Sequence, residues 1–268
     1  MKSYAPYIGI TDFQSRAEVL RMLDRFSELP DVFTYPHKLM VGVMMSYKTL
    51  HGLPSKWTDI FPKKEDIANI FVHDPLLFNT LHYADYTNTD VADSIAQAIR
   101  SGGPHLDAIQ LDMIWPSPRE LSEGLAGSKK DLSVILQVGG TALQEVGNCR
   151  VRLARKLEVY TGLIDGVVLD KSMWHSRPMD AEALLLYIEA ITRQISWLRI
   201  GVAGGLGPDT MDLATPILQR YPKVSVDARS QLRQSGNPYD DVDWSLVEHY
   251  VEVADRFLAR CQESPLAA

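Results

Sequence analysis

The run Arg199-Ile200-Gly201-Val202-Ala203-Gly204-Gly205-Leu206-Gly207-Pro208-Asp209-Thr210 carries an apolar strand into a glycine pair and then toward a helix. Glycines at the end of a buried strand let backbone N–H groups crowd around one point, and the positive end of a following helix aims there too. That arrangement suits a phosphate. Lys223-Val224-Ser225-Val226-Asp227-Ala228-Arg229-Ser230 soon repeats the design, with a β-branched run followed by small, polar and basic residues. Two successive strand ends of this kind fit the last two strands of a (β/α)8 barrel, where a phosphate commonly sits between the loops after strands seven and eight.

Six further strands are expected upstream, at 7–11, 38–45, 77–83, 108–113, 133–138 and 166–170. Helical signals separate them. Ser15-Arg16-Ala17-Glu18 is a capping box ahead of Val19, Met22, Leu23 and Phe26, and a helix over 90–100 stops at Ser101-Gly102-Gly103-Pro104. Ser117-Pro118-Arg119-Glu120 combines a second capping box with proline at the first helical position, and 63–71 reads as a further helix. Helices from Asp180 and Asp243 bury Leu184, Ile188, Ile191 and Ile195, and Val247, Val251, Ala254 and Leu258. Eight apolar strands alternating with helices predict an α/β protein, a single (β/α)8 TIM barrel of parallel strands over 1–268. The 46–62 loop, with Tyr47, Lys48, His51, Lys56 and Trp57, is long enough to be a lid or a mobile connector.

A chain of 268 residues suits one barrel, which needs about 250. The net charge is −7 and the basic residues are scattered, which argues against a nucleic-acid partner. No apolar run is long enough to cross a bilayer, and Met1–Pro6 lacks the apolar core of a signal peptide, so the expectation is a soluble cytoplasmic protein without a membrane partner. Cys149 and Cys261 are the only cysteines and suggest neither a disulfide framework nor a thiolate metal site.

In order along the chain, Gly9-Ile10-Thr11, Ile109-Gln110-Leu111, Val168-Leu169-Asp170, Ala203-Gly204-Gly205-Leu206-Gly207-Pro208-Asp209 and Val226-Asp227 with Ser230 resemble the strand-end motifs of phosphoribosylanthranilate isomerases. The resemblance implies a phosphate corner at Gly204 and Gly205 and a general acid at Asp170. The departures are as informative. Ile8 stands where the family carries its cysteine base, Asp112 where it has a histidine, and Gln137 where it has a lysine. Its serine-serine-glycine after strand eight is here Ala228-Arg229-Ser230-Gln231. A scaffold with altered chemistry is implied.

The candidate catalytic residues are therefore Asp170, Asp112 and His82, each near a strand end and able to move protons. Gly204, Gly205, Arg229 and Ser230 are candidates for phosphate, and Lys48, Gln137 and Arg177 for the rest of a substrate. The expected function is acid–base chemistry, isomerase-like or lyase-like, on a small phosphorylated metabolite of sugar-phosphate type, with no cofactor. Two alternatives stand beside it. One is a barrel that binds a phosphorylated ligand without turning it over. The other is a hydrolase or lyase in which Asp112, Asp170 and Asp227 hold a divalent metal, magnesium or manganese by their oxygen ligands. A homodimer is left open.

Overall fold

The computed structural model describes residues 4–171 and 178–263. Its strands are β1 (Tyr7–Thr11), β2 (Lys38–Ser46), β3 (Leu77–Ala84), β4 (Ala108–Asp112), β5 (Ser133–Val138), β6 (Gly166–Asp170), β7 (Arg199–Ala203) and β8 (Ser225–Ala228). All pair in parallel in sequence order, and Ile8↔Val226 and Gly9↔Asp227 bring β1 against β8 to close the barrel. The expected (β/α)8 TIM barrel is the observed fold.

Alternation along the strands creates two cores. Ile8, Ile10, Leu39, Val41, Leu81, Ile109, Leu111, Leu136, Val167, Leu169 and Val202 face outward and pack against the helices. Inside the barrel, a smaller cluster of Tyr7, Met40, Phe78, Ala108, Ile135 and Val168 fills the lower layer. The rings of Tyr4 and Tyr7 lie 4.9 and 5.7 Å from that of Phe78, and these three stoppers close the N-terminal end. Above them the inward positions become polar.

The helices follow their local signals in most places. Arg16–Ser27 is opened by the full Ser15/Glu18 capping box and buries Val19, Met22 and Phe26. Ala181–Gln194 is capped by Asp180, whose carboxylate accepts from the Ala183 N–H at 3.1 Å. Trp244–Glu263 buries Val247, Val251, Ala254 and Leu258. Three expectations change. The 63–71 helix shrinks to one turn, Ile67–Ile70, and Ser117 adopts φ −56°, ψ 126° without a side-chain cap on Pro118–Leu125. The glycine-rich segment after β7 does not open directly into an α-helix. It turns through 204–210, with the Thr210 hydroxyl donating to the Gly205 carbonyl at 2.7 Å, before the 3-10 turn Met211–Ala214 and the short helix Thr215–Arg220.

Among the described residues, no helix is long and apolar enough to cross a membrane.

Candidate functional site

At the C-terminal ends of the strands, the inward side chains surround a small cavity of about 80 Å³. Thr11 comes from β1, Met44 from β2, His82 from β3, Asp112 from β4, Gln137 from β5, Asp170 from β6 and Asp227 from β8. Gly204, Gly205, Arg229 and Ser230 complete the wall on the β7–β8 side. Every expected site residue except Lys48 and Arg177 thus meets in one place. Lys48 sits exposed on the single helical turn Tyr47–Leu50 and is not part of this wall. Arg177 lies outside the described residues.

The carboxylates are held by neighbours of different kinds. The Tyr86 hydroxyl donates to Asp112 Oδ1 at 2.5 Å, and the Thr11 hydroxyl donates to Asp227 Oδ1 at 3.1 Å. Burial, reinforced by the negative charge of Asp170, pushes Asp112 up to about 6 against the opposing effect of the Tyr86 hydrogen bond. The same causes, with Asp12 adding to them and Thr11 and Arg229 opposing, push Asp227 up to about 7. His82 responds in the other direction: burial disfavours its charged form and lowers it to about 3, so the imidazole in this cavity is neutral.

Arg229 arrives with a carboxylate of its own. Its Nε donates to Asp12 Oδ2 at 2.7 Å, and Nη2 of Arg233 donates to the same oxygen at 2.6 Å. Asp12 adopts φ 98°, a backbone state unusual for any residue but glycine, directly after the β1 end. Any anion using Arg229 therefore meets a cation already shared with Asp12. Above it, the guanidinium lies 5.3 Å from the Trp57 ring centre. Trp57 also stacks on Phe61 at 4.9 Å and on Tyr239 at 4.7 Å. The 46–62 loop is thus folded over the mouth by an aromatic roof, and beneath it lies a second space of about 780 Å³ that shares Met44, Ala84 and Pro238 with the polar cavity.

The resemblance places a proton carrier at position 8, where this chain has isoleucine. Ile8 faces the helices, whereas the inward positions of β1 are Tyr7, Gly9 and Thr11. Isoleucine at 8 therefore removes no group from this cavity, and Thr11 is the β1 side chain that reaches it. Gly9 makes room for the site: a Cβ there would sit 2.7 Å from Asp227 Oδ1 and 2.8 Å from Met40 Cε. Gly9→Ala is expected to displace the Asp227 carboxylate and cost about 1–3 kcal/mol of stability by overpacking, read as a lowered denaturation midpoint. An unchanged midpoint would mean that the barrel interior yields freely at this layer.

Gly204 and Gly205, at φ 103° and 71°, do turn the chain at the β7 end with backbone that larger residues rarely adopt. Among the described residues, no three His, Cys, Asp or Glu side chains lie close enough together to hold a metal ion. Sequence reasoning passed over four participants: Asp12, Tyr86, Arg233 and, as a functional group, Gln110. Asp12 and Tyr86 do stand one and two residues beyond β-strand ends, at the level where such sites form, but nothing in their type marks them out.

No protein-family model matches the chain, and no curated protein sequence matches it. Solved structures do. A phosphoribosyl anthranilate isomerase in complex with reduced 1-(o-carboxyphenylamino)-1-deoxyribulose 5-phosphate superposes with a TM-score of 0.57 at 18% identity, covering 94% of this chain and 100% of that one. The phosphoribosyl anthranilate isomerase of Thermotoga maritima gives 0.55 at 17% identity with the same coverage. At this identity the likeness concerns the fold, and the resemblance read from the strand ends extends to the barrel of these isomerases over nearly the whole chain.

Proposed function

We propose that this protein is an enzyme that moves protons on a small phosphorylated metabolite, by an isomerisation or an elimination-type step. One observation carries the reading: Asp112, raised to about 6, and Asp227, raised to about 7, face the same cavity as Asp170. Near pH 7 such a pair supplies one carboxylate that is mostly ionised and one that is about half protonated, hence a base and an acid together. In this account Asp112 accepts a proton from the substrate while Asp227 or Asp170 returns one. Gly204, Gly205 and Ser230 receive the phosphate. The charge of Arg229 and the proton on Asp227 offset the repulsion that an anion meets among carboxylates. A ribulose 5-phosphate derivative bound to one of the structures of similar fold supports the ligand class.

The test begins with binding. Inorganic phosphate and a panel of sugar phosphates are expected to raise the melting temperature of the wild type, and Gly205→Asp, which puts a carboxylate at the corner, to abolish the rise. A phosphorylated compound that is bound is then followed for product, with Asp112→Asn expected to lower kcat by about 10²–10⁴-fold, the usual span for an acid–base group. Absence of any thermal shift would remove the phosphate assignment. Tight binding with no product from any compound would support the binding protein instead of the enzyme.

A further inference from the structure

His82 is a histidine with only one polar atom left to offer the cavity it lines. Its Nδ1 lies 3.4 Å from Gln110 Nε2, and that same amide nitrogen donates to Gln137 Oε1 at 2.9 Å. An amide nitrogen has protons and no lone pair to give, so Nδ1 is the acceptor of this contact. A neutral imidazole carries one proton, which the contact places on Nε2. Nε2 is buried and has no hydrogen-bond partner among the described residues. Turning both amides around would reverse the chain and leave a lone pair at Nε2 instead. The walls decide between the two: Asp112, Asp170 and Asp227 line the small space against one cation, Arg229, itself paired with Asp12, so an N–H is favoured there over a second electron-rich atom.

We propose that His82 serves this site as a neutral hydrogen-bond donor through Nε2, with Gln110 as the positioning residue that fixes its tautomer. Gln137, whose oxygen is occupied by Gln110, keeps its amide N–H groups for the same purpose. Two uncharged donors facing carboxylates that exchange protons define a substrate class, a carbonyl compound with a C–H next to the carbonyl carbon. A carboxylate takes that proton, the C–H pair forms the C=C bond, and the C=O π pair moves onto oxygen, where Nε2–H and the Gln137 amide meet the growing charge. The carboxylic acid so formed, or its neighbour, returns a proton to that same α-carbon: the oxygen pair re-forms C=O and the C=C pair makes the new C–H bond. His82 keeps its own proton throughout. A site that excludes the imidazolium in this way polarises the oxygen without offering it a strong acid, and the low value near 3 imposed by burial agrees with that use.

The inference rests on the acid–base reading of the cavity, yet its test needs no substrate. Long-range ¹H–¹⁵N spectra of the histidine rings, with His82 assigned by its loss in His82→Gln, report the protonated nitrogen directly. The wild type is expected to show a neutral ring with its proton on Nε2, unchanged from pH 8 to pH 5. Gln110→Glu, whose carboxylate accepts instead of donating, is expected to move the proton to Nδ1. Gln110→Leu, which is apolar and of similar bulk, is expected to release the preference to a mixture and covers the case in which a buried glutamate prevents folding. An imidazolium, or an Nδ1–H ring in the wild type, overturns the proposal. An Nε2–H ring that persists in both folded variants overturns the role of Gln110. Unchanged turnover in Asp112→Asn would sink the acid–base reading alone, so the two failures are distinguishable.

Discussion

Replacing His37 with leucine is expected to destabilise the folded chain by about 3–5 kcal/mol, the cost of leaving a buried charge without its partner. His37 and Asp255 are both fully enclosed, one just before β2 and the other inside the C-terminal helix Trp244–Glu263. His37 Nε2 lies 3.0 Å from Asp255 Oδ1, close enough for an ion pair though poorly aligned as a hydrogen bond, and Nδ1 lies 2.6 Å from the Tyr35 carbonyl oxygen. Both ring nitrogens therefore face acceptors, and leucine would strand the Asp255 carboxylate. At a few degrees per kcal/mol, the melting temperature is expected to fall on the order of 10 °C. The double variant His37→Leu/Asp255→Leu is expected to recover most of the loss, because apolar packing replaces a buried pair at little cost. A single variant that melts with the wild type would show that the pair carries no net charge interaction.

Asp227→Asn is expected to stabilise the protein at pH 8 while it removes one of the two carboxyl groups proposed to return the proton. Asp227 has a folded-state value near 7 against an ordinary value of 3.8, so between those values the folded chain binds more protons than the unfolded one. Its contribution to stability is accordingly present in full below about pH 4 and is lost as pH rises through about 7. Asparagine is neutral throughout, and its oxygen can still accept from Thr11. The gain over wild type should therefore be small at pH 4 and reach an upper limit on the order of 3–4 kcal/mol at pH 8. Urea unfolding at the two pH values measures it. A gain that does not grow with pH would mean that Asp227 ionises without hindrance. Such a group is retained at a cost to the fold, the pattern expected of an active-site acid.

The order of strands was legible because each one is a run of apolar and β-branched residues with outward and inward faces both buried. That same property hid the register. Within Ala108–Asp112 the inward residues are Ala108, Gln110 and Asp112, but a run flanked by Ile109 and Leu111 does not announce which face is which. That Asp112, Asp170, Gln137 and Arg229 line one cavity was legible because strand ends in a barrel converge on one mouth. Asp12 was not, since its role comes from a left-handed backbone state and from two arginines more than two hundred residues away in sequence. Tyr86 was hidden similarly, as an exposed tyrosine whose hydroxyl alone reaches inward to Asp112. Short local signals failed where tertiary packing overrode them, as at the uncapped Ser117 and the shortened 63–71 helix.

The stacked rings of Tyr4, Tyr7 and Phe78 give the barrel a floor at its N-terminal end. Among the described residues, the polar cavity therefore faces the opposite end of the barrel, where Trp57 stacks on Phe61 and Tyr239.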